Sequence, residues 1–480
     1  MCENRDIILR VPRIKHEFLF ILKIDISLFT MESLSRRAST HSKERRPLQC
    51  KGTEDTMKPI QQTTIQAIHG RQILDSRGVP TIEAQVILKN GLSASASSPS
   101  GTSGCTFEAC ELRDHLPDYH GQGVTAAINQ INTPIREALL GEDCTDQWTI
   151  DRKLSLLDGT PNKSKLGVNT MLAVSLACAK AAAKCCGTEL YRYLGGINAN
   201  RLPAPLISLI SGGNSSKNQM ELAEILMLPV SAKSFSEALK LAADVFIELG
   251  RLLRQEGFSS ATGIHGEYMP DQGDDGQMLG LIMKAVQNAG YQPNYDVTLT
   301  CRAKASGWYK NGHYIFPKQQ KKITQADLIK YWTDLASQYP VSALIDPLAE
   351  EDFAGFQELT SQLGNSLRVI GSDLFASRIE RIQQGISAKV VNAVLIKPSQ
   401  IGTLSEILEA ASAVRKAGME LVLSQYDGET GDTFLSDLAV AIGADQILAG
   451  APTGFEHVGK YNRLMQIESS LSGSTYSESR

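Results

Sequence analysis

The sequence predicts an α/β barrel preceded by a small α+β domain of three antiparallel strands plus helices. Three observations carry this reading. From Pro203 onward, eight short apolar runs alternate with longer helical ones over about 280 residues, which fits a barrel of βα units better than an open sheet. No G-x-G-x-x-G opens a helix after a strand, so a doubly wound fold lacks its signal. Upstream, Thr81–Leu88 alternates with period two, as a half-buried antiparallel strand does.

Composition agrees with a globular chain. Of 480 residues, 42% are hydrophobic and 21% charged, which supplies a sizeable core. A net charge of -4 gives no reason to expect nucleic acid as a partner. No apolar run reaches the ~18 residues of a membrane span. The 9 cysteines are odd in number and form no C-x-x-C pair. Cys178, Cys185 and Cys186 lie in an Ala-rich helical stretch and read as small core residues. A reducing, cytoplasmic setting without a disulfide framework follows as an expectation.

In order, residues 1–56 read as a poorly structured extension. Its apolar stretch Ile8–Phe29 is broken by Arg10, Arg13, Lys15, Lys23 and Asp25, and Ser33–Lys51 is basic and hydroxyl-rich. Arg36-Arg37-Ala38-Ser39 has the pattern of a kinase site, and Met57 offers an alternative start. The α+β domain is expected over 57–200. Its strands are Ile65–Ile68, Thr81–Leu88 and Leu92–Ser98; helices dominate Gly123–Leu194, with a loop at Asp158–Ser164. The barrel is expected over 201–471. Its strands are Leu206–Ile210, Glu224–Leu228, Val297–Cys301, Ala343–Asp346, Leu367–Ile370, Ala393–Ile396, Glu420–Leu423 and Gln446–Leu448. Helices Ser234–Glu256, Gln277–Ala289, Gln325–Gln338, Leu404–Lys416, Phe434–Ala441 and Val458–Leu471 fill the gaps. Residues 472–480 read as a flexible tail.

The strand Ala393–Ile396 ends in Lys397. Barrel active sites are built at C-terminal strand ends. Burial there lowers a lysine toward neutrality, where it serves as a base. The alternative is a lysine leaving the strand to pair with a carboxylate.

Several blocks are specific. Asp75-Ser76-Arg77-Gly78-x-Pro80-Thr81-x-Glu83 marks a first hairpin, and Pro99-Ser100-Gly101-x-Ser103 with Glu108-Ala109-x-Glu111-Leu112-Arg113-Asp114 a loop. Asp158-Gly159-Thr160-x-Asn162-Lys163-Ser164, Leu395-Ile396-Lys397-x-x-Gln400-Ile401-Gly402 and Lys460-Tyr461-Asn462-Arg463-Leu464 complete the set. On these blocks the chain resembles the enolases from Ile65 to about Leu471. The resemblance implies a TIM-like barrel of enolase type and glycolytic 2-phosphoglycerate/phosphoenolpyruvate chemistry, a lyase reaction. It also implies one magnesium held by three strand-end carboxylates, a second held by substrate phosphate and a loop serine, a lysine base and a glutamate acid. Enolase-type sites are themselves a standard illustration of a lysine base beside Mg²⁺.

Carried over residue by residue, the resemblance is incomplete. Lys397 matches the base, and Glu224 the companion glutamate. His265 stands at the acid position and Ser215 at that of a loop histidine. The three metal-ligand positions fall to Thr300, Ile345 and Ser372, two hydroxyls and an alkyl group where hard cations need anionic oxygen. Asp346 and Asp373 are read as neighbours pointing elsewhere, and Arg302 as a cation aimed at the vacated site, paired with Asp373 or Glu224. Gln425-Tyr426-Asp427 replaces His-Arg-Ser, removing a phosphate clamp, and Leu448 replaces a second lysine. Ser100 is kept, although Gly104 and Cys105 replace the residues that close its loop. The expected function is an enolase-like pseudoenzyme with a binding or structural role; the alternative is true or altered enolase activity with Lys397 as base. No cofactor is expected, with Mg²⁺ only if that activity is kept, and a small phosphate ligand is doubtful. The expected assembly is a weak homodimer, or a heterodimer with an intact enolase. Arg71 and Glu83 keep two of the four charges of the family's dimer pairs, while Gln466 and Ser469 replace their partners.

Overall fold

The computed structural model describes residues 62–101, 105–471 and 473–477, except the side chain of Ser215. Expectations placed on residues 1–56, Met57, Ser103 and Gly104 lie outside the described residues.

Three antiparallel strands open the described chain: β1 (Ile65–Leu74), β2 (Pro80–Leu88) and β3 (Ser93–Ser97), in the order β1-β2-β3. The alternation in β2 buries Ile82, Ala84, Val86 and Leu88 on one face. β1 runs six residues beyond the predicted Ile68. His69–Gln72 carries no apolar pattern, but its backbone is paired through the ladder from His69↔Gln85 to Gln72↔Ile82. Helix α1 (Gln147–Asp158) begins where the Asp146 side chain accepts from the backbone of Thr149, a standard N-cap. Helix α2 (Val168–Cys185) is buried on nearly every face and packs on β2 and β3, as an apolar-all-round helix must. Cys178 lies in that core; Cys185 is half-buried and Cys186 is exposed, so the expectation of three core thiols holds for one. The helix ends there, turning Cys186 outward. All the cysteines of the described residues are free thiols.

The second part is a closed eight-stranded barrel. In chain order its elements are β4 (Ala204–Ser211), β5 (Glu224–Pro229), α3 (Phe235–Gln255), α4 (Asp275–Asn288), β6 (Val297–Arg302), α5 (Gln325–Gln338), β7 (Val341–Ile345), α6 (Phe353–Leu363), β8 (Arg368–Gly371), α7 (Ile379–Ala388), β9 (Ala393–Ile396), α8 (Leu404–Lys416), β10 (Glu420–Ser424), α9 (Phe434–Ala441), β11 (Gln446–Leu448) and α10 (Phe455–Ser470). Leu206, Leu226, Ala343, Ile345, Leu395 and Leu448 help fill the interior, so the barrel is a packed core rather than a pore. β5 is antiparallel to both neighbours, β4 and β6. This departs from a regular βα repeat. It also puts the first residue of β5 at the same end as the last residues of the other strands.

Capping boxes at Thr324–Asp327 and Thr403–Glu406 fix the starts of α5 and α8. Thr475–Tyr476, expected in a flexible tail, pairs in parallel with Arg201–Leu202. Among the described residues no single helix is long and apolar enough to cross a membrane.

Candidate active site at the barrel mouth

Strand register assembles the mouth. Glu224, the first residue of β5, lies opposite Arg302, the last of β6. Arg302 in turn is level with Ile345 at the end of β7. Thr300 is level with Ala343, one layer deeper, and its hydroxyl has no hydrogen-bond partner. Arg302, two residues beyond Thr300, therefore stands at the rim of the barrel. The reason is register: β6 runs on to Arg302, so Thr300 faces the packed interior.

Arg302 Nη1 approaches Glu224 Oε2 at 3.3 Å, with both side chains buried. Burial opposes the guanidinium charge, but Glu224 and then Asp373 outweigh it and raise Arg302 above its ordinary value. Lys397 Nζ donates to Asp373 Oδ1 at 3.1 Å. Glu224 thus pairs with Arg302, one of the two partners expected for that arginine, because the reversed β5 sets it beside β6. Burial also opposes the charge of Lys397, yet Asp373 overcomes this and the amine is held above its usual range. The expected drop toward neutrality does not occur, because an acid sits against the ammonium.

Asp346 and Asp373 do not point elsewhere. Asp346, at φ 47°, has left the strand conformation, which frees it from pleat alternation. Its oxygens accept from the backbone N–H of Ser372 at 2.8 Å and of Asp373 at 3.2 Å. Burial, then the Asp373 charge, push Asp346 up to about 6. Asp373 is lowered: burial works against its charge, but Lys397 and Arg302 prevail. Ile345 presents only carbon, and the buried Ser372 hydroxyl has no hydrogen-bond partner.

His265, Gln425 and Asp427 meet on the opposite side. The Gln425 amide N–H donates to His265 Nδ1 at 3.2 Å, and Gln425 Oε1 accepts from His457 Nδ1 at 3.0 Å. This relay leaves the His265 proton on Nε2, 3.7 Å from Asp427 Oδ1. Burial, joined by Arg302 and Lys304 against the opposing pull of Glu224 and Asp427, lowers His265, so its ring is neutral. Glu267 donates nothing obvious to the sequence pattern, yet its Oε2 accepts from the His265 backbone at 2.9 Å. Burial, then Glu224, raise Glu267 to about 8. Tyr426 donates to Glu108 Oε2 at 2.6 Å, and its ring lies 6.0 Å from Lys397 Nζ. A Cβ on Gly101 would come within 1.8 Å of that ring, so only glycine fits there.

Ser100 is neither free nor at the surface. Its hydroxyl bonds Asp75 and accepts from Arg77 Nη2 at 2.8 Å, while its backbone makes two bonds with Gly428, at 2.8 and 2.7 Å. The loop serine is thus tied into the first hairpin. Lys304, Glu267 and His457 escaped sequence reasoning. Only the spacing of Glu267 from His265 and of Lys304 from Arg302 hinted at two of them.

The model for the enolase N-terminal domain matches residues 65–194, and that for the enolase C-terminal TIM barrel domain matches residues 199–479. The chain belongs to the enolase family. In this enolase-family chain the two matched regions coincide with the three-stranded domain and the barrel described above.

Proposed function

We propose that this enolase-family chain does not interconvert 2-phosphoglycerate and phosphoenolpyruvate and instead has a binding or structural role. One observation carries the reading: Arg302 stands at the barrel rim, ion-paired with Glu224, level with Ile345. The family's magnesium needs anionic oxygens converging on one point. Here the three ligand positions offer the Thr300 hydroxyl, an isoleucine and the Ser372 hydroxyl, with the Arg302 guanidinium beside them. Asp346 is engaged by two backbone N–H groups and Asp373 by Lys397. Among the described residues no three His, Cys, Asp or Glu side chains converge as a metal site would require. These residues do not fit a divalent cation, and no step is derived through one.

The proton chemistry is equally unsuited. A lysine held above its usual range by Asp373 keeps its proton, and a neutral His265 hydrogen-bonded to Gln425 and facing Asp427 is a poor counterpart to a carboxylic acid. Asp427 repels the phosphate that an arginine would clamp. A coupled phosphoenolpyruvate assay on the full chain, with and without magnesium, is expected to show no turnover. Magnesium-dependent turnover at about 10 per second or more, typical of enzymes, overturns the reading.

Association is also proposed to be weak. Arg71 pairs with Glu83 within one chain. Arg463 is taken by Asp437 and Glu189, and Glu468 accepts from the backbone of Phe235 at 2.6 Å. The charges nearest the replaced positions Gln466 and Ser469 therefore have intramolecular partners and do not re-pair across a two-fold axis. A partner with intact pairing residues, such as an active enolase, is the preferred second subunit.

A further inference from the structure

Among the mouth cations, Lys304 differs from Arg302 and Lys397. It follows β6 by two residues and lines two adjoining cavities, of ≈ 230 and ≈ 250 Å³. Its side chain makes no hydrogen bond or ion pair with any described residue, whereas Arg302 has Glu224 and Lys397 has Asp373. Lys304 is exposed to the cleft. Its backbone is left-handed, φ 53° and ψ 45°, an uncommon conformation for a residue with a side chain. The neighbouring N–H groups hold it there: Ala303 donates to Ile345 O at 3.0 Å and Ala305 to Asp346 O at 3.1 Å. Strain held in place by flanking ladder bonds is common where a side chain must be presented.

We propose that Lys304 is a nucleophilic amine that forms an imine with a small, uncharged hydroxy-aldehyde or hydroxy-ketone in this cleft. The Arg302 charge beside it lowers Lys304 below the ordinary lysine value, which raises the fraction present as free amine. In the reaction the Nζ lone pair attacks the carbonyl carbon and the C–N bond forms. The carbinolamine then loses its hydroxyl as water, leaving C=N in place of C=O. No oxidant or reductant is consumed. The substrate class follows from the lining. Glu108, Asp373 and Asp427 border the same cavity together with Lys397, which is ion-paired with Asp373, so substrate hydroxyls find acceptors, while a substrate carboxylate or phosphate meets the carboxyls of Glu108 and Asp427. This inference stands apart from the loss of enolase chemistry, since it involves neither 2-phosphoglycerate nor magnesium.

The test is reductive trapping on the full chain. The protein is incubated with glyceraldehyde and sodium cyanoborohydride at neutral pH, and modified lysines are mapped by peptide mass. Lys330, whose side chain is 74% exposed, serves as internal reference. Lys304 is expected to label several-fold faster than Lys330. Lys304→Arg, folded by circular dichroism, loses the fast adduct. Pyruvate in place of glyceraldehyde labels Lys304 more slowly. Labelling of Lys304 no faster than Lys330, or a fast adduct that persists in Lys304→Arg, overturns the proposal. Faster labelling by pyruvate overturns the substrate class.

Discussion

Arg302→Ala is the most informative single change. Arg302 and Glu224 side chains are each 6% exposed and 3.3 Å apart. At an effective dielectric of about 20, that separation corresponds to about 5 kcal/mol of attraction. Removing the arginine leaves Glu224 buried beside Glu267, with no cation in contact. Breaking a buried pair in this way costs roughly 3–5 kcal/mol. Arg302 Nε and Glu224 Oε1 have no hydrogen-bond partner, so desolvation is only partly offset in the native state. Replacing both partners by apolar residues of similar size, Arg302→Met with Glu224→Leu, is therefore expected to recover at least half of the loss. Urea denaturation followed by circular dichroism measures the stability of all three proteins. Arg302→Ala within about 0.5 kcal/mol of the parent, the range of ordinary surface changes, refutes the buried-pair argument. So does a double variant no more stable than the single one.

Two further predictions concern charge. Glu267 is raised to about 8, so the stability it contributes as a neutral acid is present below its ordinary 4.5 and is lost as pH rises through 8. In urea denaturation, Glu267→Gln should leave the unfolding free energy unchanged near pH 4.5 and raise it above pH 8, by roughly 1–3 kcal/mol; a variant equally or less stable at high pH contradicts this. Analytical ultracentrifugation from micromolar concentrations downward should show the dimer dissociating. A single dimer species persisting at nanomolar concentration shows that the replaced positions Gln466 and Ser469 do not matter.

Much of the barrel was legible because its strands are short apolar runs between turn residues: Ala393–Ile396 and Gln446–Leu448 fall where the pattern puts them. Helices α6 and α7, of 11 and 10 residues, were not picked out among the stronger helical patterns. The reversal of β5 was not legible either, since apolar periodicity carries no strand direction. That reversal decides the partner of Glu224. Strand-end side chains were the weakest part of the reading. The level of Arg302 with Ile345 required the register of β6 on β7, and Asp346 turned inward through a left-handed backbone that no pleat rule anticipates. Lys397 shows the same limit: its position came from the motif, but its protonation is set by Asp373, which only the folded chain brings to it.

On the proposed reading, a fixed cation, Arg302, and its partner Glu224 stand beside the positions that the enolase resemblance implies for metal ligands. Manganese titration of the full chain, followed by electron paramagnetic resonance of the free ion, tests it without reference to any substrate. The account predicts no saturable site up to about 1 mM free metal. One stoichiometric site with micromolar affinity, weakened in an Asp373→Asn variant, would contradict it.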